Sequence, residues 1–477
     1  MQLDSRKRKI AISFLIAIFL AAFEAVVVAT AAPIIVQSLH NFKLISWIFS
    51  AYLLTSAMST PIYGKLADLY GRKRMLLIGI SIFLVGSTFA GLAQSMEQLI
   101  AFRAVQGLGA GSILTICFTM IGDIFTLEER SVVQGGISTM WGVAGLVGPL
   151  LGGFFIDYLS WHWIFFINIP FGLFCMYILC RYVHEQKPKK KPSVDYVGAL
   201  ILAGAIAVFL LAVMNSTGNV MEAWGLGLGS GVLLLLFYQY EKRVVEPIVP
   251  LFILNRDMII VSLITFGSSV ILIANTVYLT LYIQSVLGYS ATVAGMSMAG
   301  TSLSWFFTST VLAKLMMRYS TKWLVIAACV VLVMGGVFLS CLTPVTPLWH
   351  VWIAVLLFGI GFSGTLNTLM FIVQDAVPYQ QRGAAVGLNM LTRTLAQTIG
   401  VAVFGTILNY FTSQYIALQG LTGVTIQDYY DKTYPQLQDV LGNALFLGLN
   451  HVFWVLVGIG VVCVILGYFV PQYKKVS

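Results

Sequence analysis

Long apolar segments, separated by short polar connections, recur along the whole chain. A helix needs about 20 apolar residues to cross the hydrocarbon core of a bilayer, and fourteen stretches meet this requirement. They are centred near Leu20, Leu54, Phe83, Thr115, Leu146, Phe171, Ala205, Leu234, Leu272, Ser304, Val331, Leu356, Val401 and Val457. The first run extends from Ile10 to Val36, too long for the apolar part of a cleaved signal peptide. The pattern predicts an all-α polytopic membrane protein with 14 transmembrane helices.

The composition excludes a soluble protein. Of the 477 residues, 59% are hydrophobic and only 9% are charged, whereas soluble domains carry about 25% charged residues. An ordinary soluble enzyme is therefore excluded, and so is a nucleic-acid partner despite the net charge of +9. The six cysteines are scattered without a CxxC pair or a Cys/His cluster. This arrangement favours buried packing thiols over disulfides, and no metal site is expected.

The positions of lysine and arginine predict the orientation of the spans. With the N-terminus inside, 23 of the 27 basic residues fall in cytoplasmic segments. Lys43 and Lys432 fall in extracellular segments, whereas Arg103 and Arg393 lie within spans. Because basic residues accumulate in cytoplasmic loops, we predict that both termini are cytoplasmic.

Two polar interruptions divide the chain. Residues 183–195 form a basic linker that contains proline, and residues 411–443 form a longer stretch rich in Gln, Tyr, Asp and Thr. The orientation makes the second stretch an extracellular loop. Two interpretations stay open for it, a solvated cap and a substrate gate.

A weak internal repeat predicts the domain organisation. GKLADLYGRK at 64–73 recurs in degraded form as AKLMMRYSTK at 313–322, and RSVVQG at 130–135 recurs as RGAAVG at 382–387. The similar offsets of 249 and 252 residues imply two homologous six-span halves, an architecture typical of secondary transporters. The predicted units are an N-terminal six-helix bundle at 1–186, a linker with two inserted helices at 187–257, and a C-terminal six-helix bundle at 258–477.

Several motifs carry a family resemblance. They are FEAVVVATAAP (23–33) in span one, GKLADLYGRK (64–73) after span two, RAVQGLGAG (103–111) in span four, GVAGLVGPLLGG (142–153) in span five and WHWIFFINIPFG (161–172) in span six. Together they resemble the signatures of the major facilitator superfamily, and specifically of its 14-span drug:proton antiporter branch. The resemblance covers essentially the whole chain. It implies the major facilitator fold, with two six-helix bundles that rock about a midplane site.

Two positions depart from the pattern of that branch. Glu24 stands where the branch usually has aspartate, and His162 stands where it usually has arginine between Trp161 and Trp163. We expect Glu24 to keep the role of the aspartate, with the reach of a longer side chain.

Glu24 is the one carboxylate in the middle of any predicted span. A carboxylate near the bilayer centre is costly, and burial disfavours its charged form. Glu24 is therefore predicted to carry the coupled proton, and the resemblance implies that Arg103 takes part in the transfer. The alternative is a structural acid that is neutralised by Arg103 or by Arg393. For Arg393 itself, a functional and a structural role stay equally open.

Charged residues at the cytoplasmic ends of spans two to five predict a conformational latch. An acid there can pair with a basic loop residue and with the positive end of a neighbouring helix. Such pairs hold only while the cytoplasmic side is closed. The alternative is that these charges merely set the topology. The residues assigned to the latch are Gly64, Asp68, Gly71, Arg72, Asp123 and Arg130.

The span-five motif is associated by resemblance with antiporters. Gly142, Gly145, Gly148 and Gly152 recur at spacings of three and four, which predicts one small-residue face for close helix packing. Pro149 removes a backbone hydrogen bond and is expected to bend the span. We predict a tight contact between the halves at this face.

Polar and aromatic residues inside the spans are candidates for a substrate cavity. Aromatic rings and few fixed charges suit bulky hydrophobic or cationic compounds, through stacking and cation–π contacts. The alternative for each residue is core packing or an interfacial aromatic belt. The candidates are Trp47, Tyr52, Tyr278, Gln284, Trp305, Phe306, Asn367, Phe371, Asn389 and Arg393.

The sequence as a whole indicates a proton-coupled multidrug efflux antiporter of the cell membrane, not an enzyme. We expect a monomer that is driven by the proton gradient and needs no cofactor, with small-molecule drugs or dyes, protons and the lipid bilayer as its partners. The chain has no P-loop, and GIGFSG at 359–364 lies inside a span, where it favours helix packing over nucleotide binding. The alternatives are a proton-coupled importer on the same fold and a receptor or scaffold that transports nothing.

Overall fold

A computed structural model describes residues 4–125, 127–183, 195–215, 220–244, 247, 255–377, 382–421 and 423–470. Every regular element in these ranges is helical. The long helices are α1 (Ser5–Leu39), α2 (Ile45–Tyr70), α3 (Arg72–Ala90), α4 (Met96–Ile124), α5 (Leu127–Tyr158), α6 (Asn168–Tyr182), α7 (Tyr196–Asn215), α8 (Val220–Glu241), α9 (Arg256–Ser285), α10 (Ala291–Arg318), α11 (Thr321–Ser340), α12 (Leu348–Phe362, continued by a π-helical segment Ser363–Asn367 and by Thr368–Asp375), α13 (Arg382–Leu418) and α14 (Gln438–Gly467). Short helical segments connect some of them, at Phe42–Leu44, Trp163–Phe166, Gln427–Asp431 and Pro435–Leu437.

The predicted all-α polytopic membrane fold is confirmed. Within the described ranges, 11 helices are long and apolar enough to cross a membrane, and α7 contributes a shorter apolar helix at Leu200–Val213. The total of 14 spans, the domain boundaries and the cytoplasmic position of both termini stay predictions. We call the end of the bundle with the α1–α2 connection the outer side, and the end where α1 begins the inner side.

Small residues allow α4 to lie between α2 and α3. A Cβ atom on Gly107 would lie 2.3 Å from the Tyr52 carbonyl oxygen of α2. One on Gly109 would lie 2.3 Å from the Phe83 amide nitrogen of α3. Since real Cβ atoms do not approach backbone this closely, glycine is required at both positions. The span-four motif is thus what brings α4 to backbone contact on two sides.

The two halves contact each other mainly through three helix pairs, α5 with α10, α2 with α13, and α1 with α9. Tyr278 of α9 donates a 2.5 Å hydrogen bond to the Val401 carbonyl of α13 and lies 3.2 Å from Ser46 Oγ of α2. Gln284 Nε2 donates to the Thr30 carbonyl of α1 over 2.9 Å. These contacts all lie on the outer side.

The inserted pair α7 and α8 is attached to the bundle through α7. Its Ile206 and Leu210 pack with Leu54 of α2 and Ala402 of α13, so α7 covers the line where the two halves meet. Thr406 of α13 also donates to a carbonyl of α7. By contrast, α8 packs on α7 and leaves large apolar side chains exposed, as expected of a helix that faces lipid.

The GIGFSG segment of α12 packs against two neighbouring helices. A Cβ atom on Gly359 would lie 2.2 Å from the Thr301 carbonyl oxygen of α10. Cβ atoms on Gly361 and Gly364 would meet Leu332 and Ala328 of α11 at 2.5 and 2.6 Å. The packing interpretation of this motif is correct.

Three of the four glycines of the α5 motif, Gly145, Gly148 and Gly152, share one face of the helix, and this face lies against both α1 and α10. Gly145 lies against Ser302 of α10, whereas Gly152 lies against Thr30 of α1. Gly142 has open space around it. Gly145, Gly148 and Gly152 lie within about 60° of one another around the helix axis, so one face of α5 contacts α10 of the other half and α1 of its own half. The backbones of the two halves also touch at Gly153, where a Cβ atom would lie 2.4 Å from the Thr292 Cα atom of α10, and at Gly295 of α10, where one would lie 2.0 Å from the Pro149 carbonyl oxygen of α5.

Gly153→Ala and Gly142→Ala form a matched pair for testing this contact. Alanine improves helix propensity by about 1 kcal/mol at either position. Only at Gly153 does the added methyl collide with the backbone of the other half, and overpacking costs about 1–3 kcal/mol. We expect Gly153→Ala to lower the unfolding temperature of the purified protein and Gly142→Ala to maintain or raise it. Equal unfolding temperatures for the two variants would contradict this packing.

Candidate functional site

Glu24 and Arg103 form a buried ion pair in the N-terminal half. Glu24 lies near the middle of α1 and is fully buried, and Arg103 of α4 is 1% exposed. Arg103 Nη1 donates to Glu24 Oε1 and, over 2.8 Å, to Gln106 Oε1. Its Nε donates to the Ile48 carbonyl of α2 over 3.1 Å. One arginine thus joins α1, α2 and α4 at the level of the acid.

Asn168 supplies the second hydrogen bond to the carboxylate. Its Nδ2 donates to Glu24 Oε2 over 2.7 Å and to Ser87 Oγ of α3 over 2.9 Å. Ser87 in turn accepts a hydrogen bond from Gln106 Nε2 over 3.2 Å and donates to the Phe165 carbonyl over 2.8 Å. The result is a closed polar network that involves α1, α2, α3, α4 and α6. We call Glu24, Arg103, Gln106, Ser87 and Asn168 the N-half network.

Aromatic rings surround the guanidinium group. The Arg103 Cζ atom lies 4.2 Å from the ring centre of Tyr52 and 5.9 Å from that of Phe165. A cation over an aromatic face is stabilised electrostatically, more so when water is excluded. Tyr52, predicted as a cavity residue, is therefore part of the shell around Arg103. In this surrounding of low dielectric the pair is tolerable because it is net neutral and hydrogen-bonded.

The structure shows which of the two arginines is paired with Glu24. Glu24 is paired with Arg103, and Arg393 of α13 is not among its partners in the described part of the chain. Gln106, Ser87 and Asn168 were not among the predicted site residues, although Gln106 and Asn168 lie within the motifs of spans four and six. Gln106 could have been found, because it lies one helical turn after Arg103 on the same face.

The residues assigned to the latch lie at the inner end of the N-terminal half. Gly71 makes the one-residue turn between α2 and α3 with φ +97°, a conformation that glycine adopts without strain. Arg72 Nη1 donates to the Thr119 carbonyl of α4 over 3.4 Å. Four of the assigned residues lie outside the part of the chain whose side chains the structure describes: Gly64, Asp68, Asp123 and Arg130. The latch therefore stays a prediction.

The predicted cavity residues do not form one cluster. Tyr278 and Gln284 belong to the outer contact between the halves. Trp47 lies with the α2–α7–α13 group. Trp305 lies 6.0 Å, centre to centre, from the Phe362 ring of α12.

The other candidates lie in the C-terminal half. Asn367, at the end of the π-helical segment, donates to Ser309 Oγ over 3.1 Å. Asn389 is buried and donates to Thr265 Oγ1 over 3.1 Å. Phe306 is half-exposed, whereas Phe371 and Arg393 are partly buried.

A clasp joins the two halves at the outer end. We define it as His40–Phe42 of the α1–α2 connection together with the short helix Gln427–Asp431. The Phe42 amide donates to Gln427 Oε1 over 2.7 Å, and His40 Nδ1 lies 2.9 Å from Asp431 Oδ1. The rings of Phe42 and Tyr430 stack at 5.4 Å. The predicted loop 411–443 thus contains a segment that covers the outer junction.

The clasp is held to the C-terminal half by two tyrosines. Tyr429 donates to the Ser285 carbonyl at the end of α9, and Tyr430 donates to Ser285 Oγ over 3.0 Å. Burial raises the pKa of the Tyr429 hydroxyl, so that this hydroxyl stays a donor at physiological pH.

His162 differs chemically from the arginine that the branch usually has. Its ring stacks on Trp161 at 3.9 Å, and its Nδ1 lies 2.5 Å from Ser160 Oγ. Partial burial lowers the pKa of His162, which favours the neutral ring. Trp161 Nε1 donates to Ser38 Oγ of α1 over 3.0 Å. The segment before α6 is thereby fixed to the outer end of α1 without a fixed positive charge.

Comparison with known proteins matches this chain to a family profile and to relatives of similar length. The Major Facilitator Superfamily profile matches residues 14–401. Multidrug resistance protein 3 of Bacillus subtilis (strain 168) is 33% identical over 417 residues, which are 85% of this chain and 80% of that protein. Multidrug transporter protein MdtP of the same organism is 28% identical over 412 residues, which are 85% of this chain and 76% of that protein.

A solved structure shares the fold. A bacterial homolog of the human lysosomal transporter Spinster, in an inward-facing and occupied conformation, superposes with a TM-score of 0.73. The alignment covers 99% of this chain and 100% of that one at 14% identity.

Arg103→Met tests how strongly the ion pair determines stability. The substitution leaves Glu24 buried without its cation, and breaking a buried pair in this way costs about 3–5 kcal/mol. We expect a large drop in the unfolding temperature. The double variant Arg103→Met/Glu24→Gln removes both charges together, and we expect it to recover most of the loss. Equal destabilisation by the single and double variants would show that packing around Arg103, not charge, determines stability.

Proposed function

We propose that this chain, which belongs to the major facilitator superfamily, exports hydrophobic or cationic small molecules in exchange for protons. The chain is a multi-pass protein of the cell membrane and a transporter, not an enzyme. The names of the two Bacillus relatives, both multidrug proteins, support the substrate class. The proton gradient would be the energy source, without a cofactor.

One observation carries the proposal, the buried pair of Glu24 and Arg103. A membrane protein that only scaffolds others has no need for an ionisable pair inside the bilayer, and such groups mark ion or proton pathways. Glu24 can alternate between a carboxylate that is held by Arg103 and Asn168 and a neutral acid. The change of charge alters the strength of the contact between α1 and α4. Proton uptake can therefore be linked to a change of conformation.

The contacts between the halves support alternating access. The clasp and the hydrogen bonds of Tyr278 and Gln284 lie on the outer side. Export requires that the outer contacts open and that the inner ends come together. The latch predicted at the inner ends of α2, α4 and α5 would stabilise that second state.

The candidate cavity residues supply aromatic and amide surface. Trp305, Phe306 and Phe371 can stack on flat apolar or cationic compounds. Asn367 and Asn389 can orient polar substituents, and Arg393 adds a positive charge on α13. A surface of this kind fits varied compounds better than one exact shape.

A proton-coupled importer of a small solute stays the second candidate. It would use the same fold and the same buried pair. The span-five glycines resemble the antiporter pattern and favour export. Directional transport assays separate the two, because an importer accumulates its solute in right-side-out vesicles when the outside is acidified.

Asp68→Asn tests the latch. If Asp68 pairs with basic groups while the inner side is closed, the neutral amide weakens that closed state. We expect transport to fall at least tenfold with near-normal expression and insertion, because topology depends on Lys and Arg. Wild-type transport by Asp68→Asn would eliminate the latch.

Glu24→Gln tests proton coupling. The amide mimics the protonated acid permanently, so folding is maintained while the link between proton and conformation is lost. We expect proton-driven uptake of dyes into inverted vesicles to vanish, while substrate binding persists without the pH dependence that this group confers. Glu97→Gln, at an exposed position in the first turn of α4, is the control and should transport normally. Undiminished uptake by Glu24→Gln would assign the proton to another group.

A further inference from the structure

Asn168 has one amide atom that is not satisfied in this state. Its Nδ2 makes two hydrogen bonds, to Glu24 Oε2 and to Ser87 Oγ. Its Oδ1 is buried and has no hydrogen-bond partner. A buried acceptor without a partner costs about 1–3 kcal/mol. Such an atom therefore needs an explanation, and its closeness to the carboxylate supplies one.

Protonated Glu24 needs a hydrogen-bond acceptor close by. A carboxylate accepts hydrogen bonds, whereas the neutral acid has one O–H group that must donate. Arg103 offers only donors, and Gln106 Oε1 already accepts from Arg103. Ser87 Oγ already accepts from Gln106 and Asn168. The orphaned Oδ1 of Asn168 is the acceptor that the protonated acid lacks.

We propose that Asn168 is a positioning residue whose side-chain amide rotates when Glu24 changes its protonation state. With Glu24 ionised, Nδ2 donates to Oε2, as observed. When a proton binds at Oε2, a rotation of about 180° about χ2 brings Oδ1 to that position, and the acid donates to it. No covalent bond of Asn168 forms or breaks, and the proton stays on Glu24. The inference rests on the proposed function, because it requires Glu24 to take up a proton.

The rotation has a consequence for Ser87. In the observed state the Ser87 hydroxyl donates to the Phe165 carbonyl. After the amide turns over, Nδ2 no longer faces Ser87 Oγ, and the Ser87 hydroxyl can donate to Oδ1 instead. It has one proton and cannot donate to both acceptors. The protonation state of Glu24 is thereby transmitted to the Phe165 carbonyl, in the helical turn that precedes α6.

Few other groups can perturb this equilibrium. Among the described residues, the charged and titratable groups that face Glu24 are Arg103 of α4 and, beyond it, Tyr52 of α2. The other described members of the network, Gln106, Ser87 and Asn168, are neutral. A pH-dependent signal from this network therefore reports on Glu24 and its immediate partners.

The test is infrared difference spectroscopy of the full-length protein in lipid, recorded between alkaline and acidic pH. The carboxylic acid C=O band that is absent from Glu24→Gln identifies protonated Glu24. In wild-type protein labelled with ¹³C-asparagine, we expect an isotope-shifted amide C=O band in the same difference spectrum, and we expect Glu24→Gln to lose it. In Asn168→Leu the Glu24 acid band should move to higher wavenumber, since the acid loses a hydrogen bond.

Asn275→Leu is the matched control. Asn275 is a buried asparagine of α9 in the other half, and its Oδ1 is also without a partner. The same substitution there should leave the Glu24 band where it is in the wild type. An unshifted Glu24 band in Asn168→Leu, or an asparagine band that persists in Glu24→Gln, would overturn the switch.

The outcomes also separate this inference from the proposed function. If no acid band disappears in Glu24→Gln, Glu24 does not protonate and the proposed function itself fails. If that band is present but the labelled asparagine is silent, only the role of Asn168 fails. The labelled wild-type experiment needs no variant of Asn168, so the test holds even if Asn168→Leu does not fold.

Discussion

The cost of a charge inside a low-dielectric bundle is the constraint on which this structure depends. Glu24 and Arg103 can share the interior only as a neutral, fully hydrogen-bonded pair. That requirement fixes the distance between α1 and α4. It also explains the glycines of α4, because the arginine reaches the acid only when its helix touches α2 and α3 along the backbone. Packing of small residues and pairing of charges are thus two parts of one arrangement.

The N-half network, with its buried ionisable pair, lies in one half of the molecule. Its described members belong to α1, α3, α4 and α6, and Arg103 reaches the backbone of α2. The C-terminal half contains Asn367, Asn389 and Arg393 instead, and the two asparagines donate hydrogen bonds to neighbouring hydroxyls. Under the proposed function, one half would sense the proton and the other would move relative to it. The inserted α7 contacts both halves along the junction and so must accommodate that movement.

The sequence predicted the fold and singled out Glu24 and its two candidate partners for a clear physical reason. Charged residues are so costly within apolar spans that Glu24, Arg103 and Arg393 stand out without any structure. Spacing alone could not decide which arginine meets the acid, since that depends on how the helices are arranged. Ser87 and Asn168 were missed because hydroxyl and amide groups are common in spans and follow no period. Spacings of three and four predicted the small-residue face of α5, but spacing alone could not show that this face meets both α10 and α1.

The cavity was the least predictable part. Aromatic residues in a membrane protein serve packing, the interface and binding alike, and their sequence signal is the same in each case. Tyr52 proved to lie over Arg103, and Tyr278 proved to hold the outer junction. Only contacts across the fold can separate these roles.

The clasp determines which side chains line the outer junction when the two halves separate. Its short helix is bound to Ser285 by two tyrosine hydroxyls. It meets the α1–α2 connection through the hydrogen bond from the Phe42 amide to the Gln427 side chain, the contacts of His40 with Asp431 and Gln427, and a ring stack. Separation between the short helix and the α1–α2 connection would leave the helix with the C-terminal half. Separation then unstacks Phe42 from Tyr430 and turns two ring faces towards the opening. An opening between the halves at this end would therefore be lined by aromatic rings.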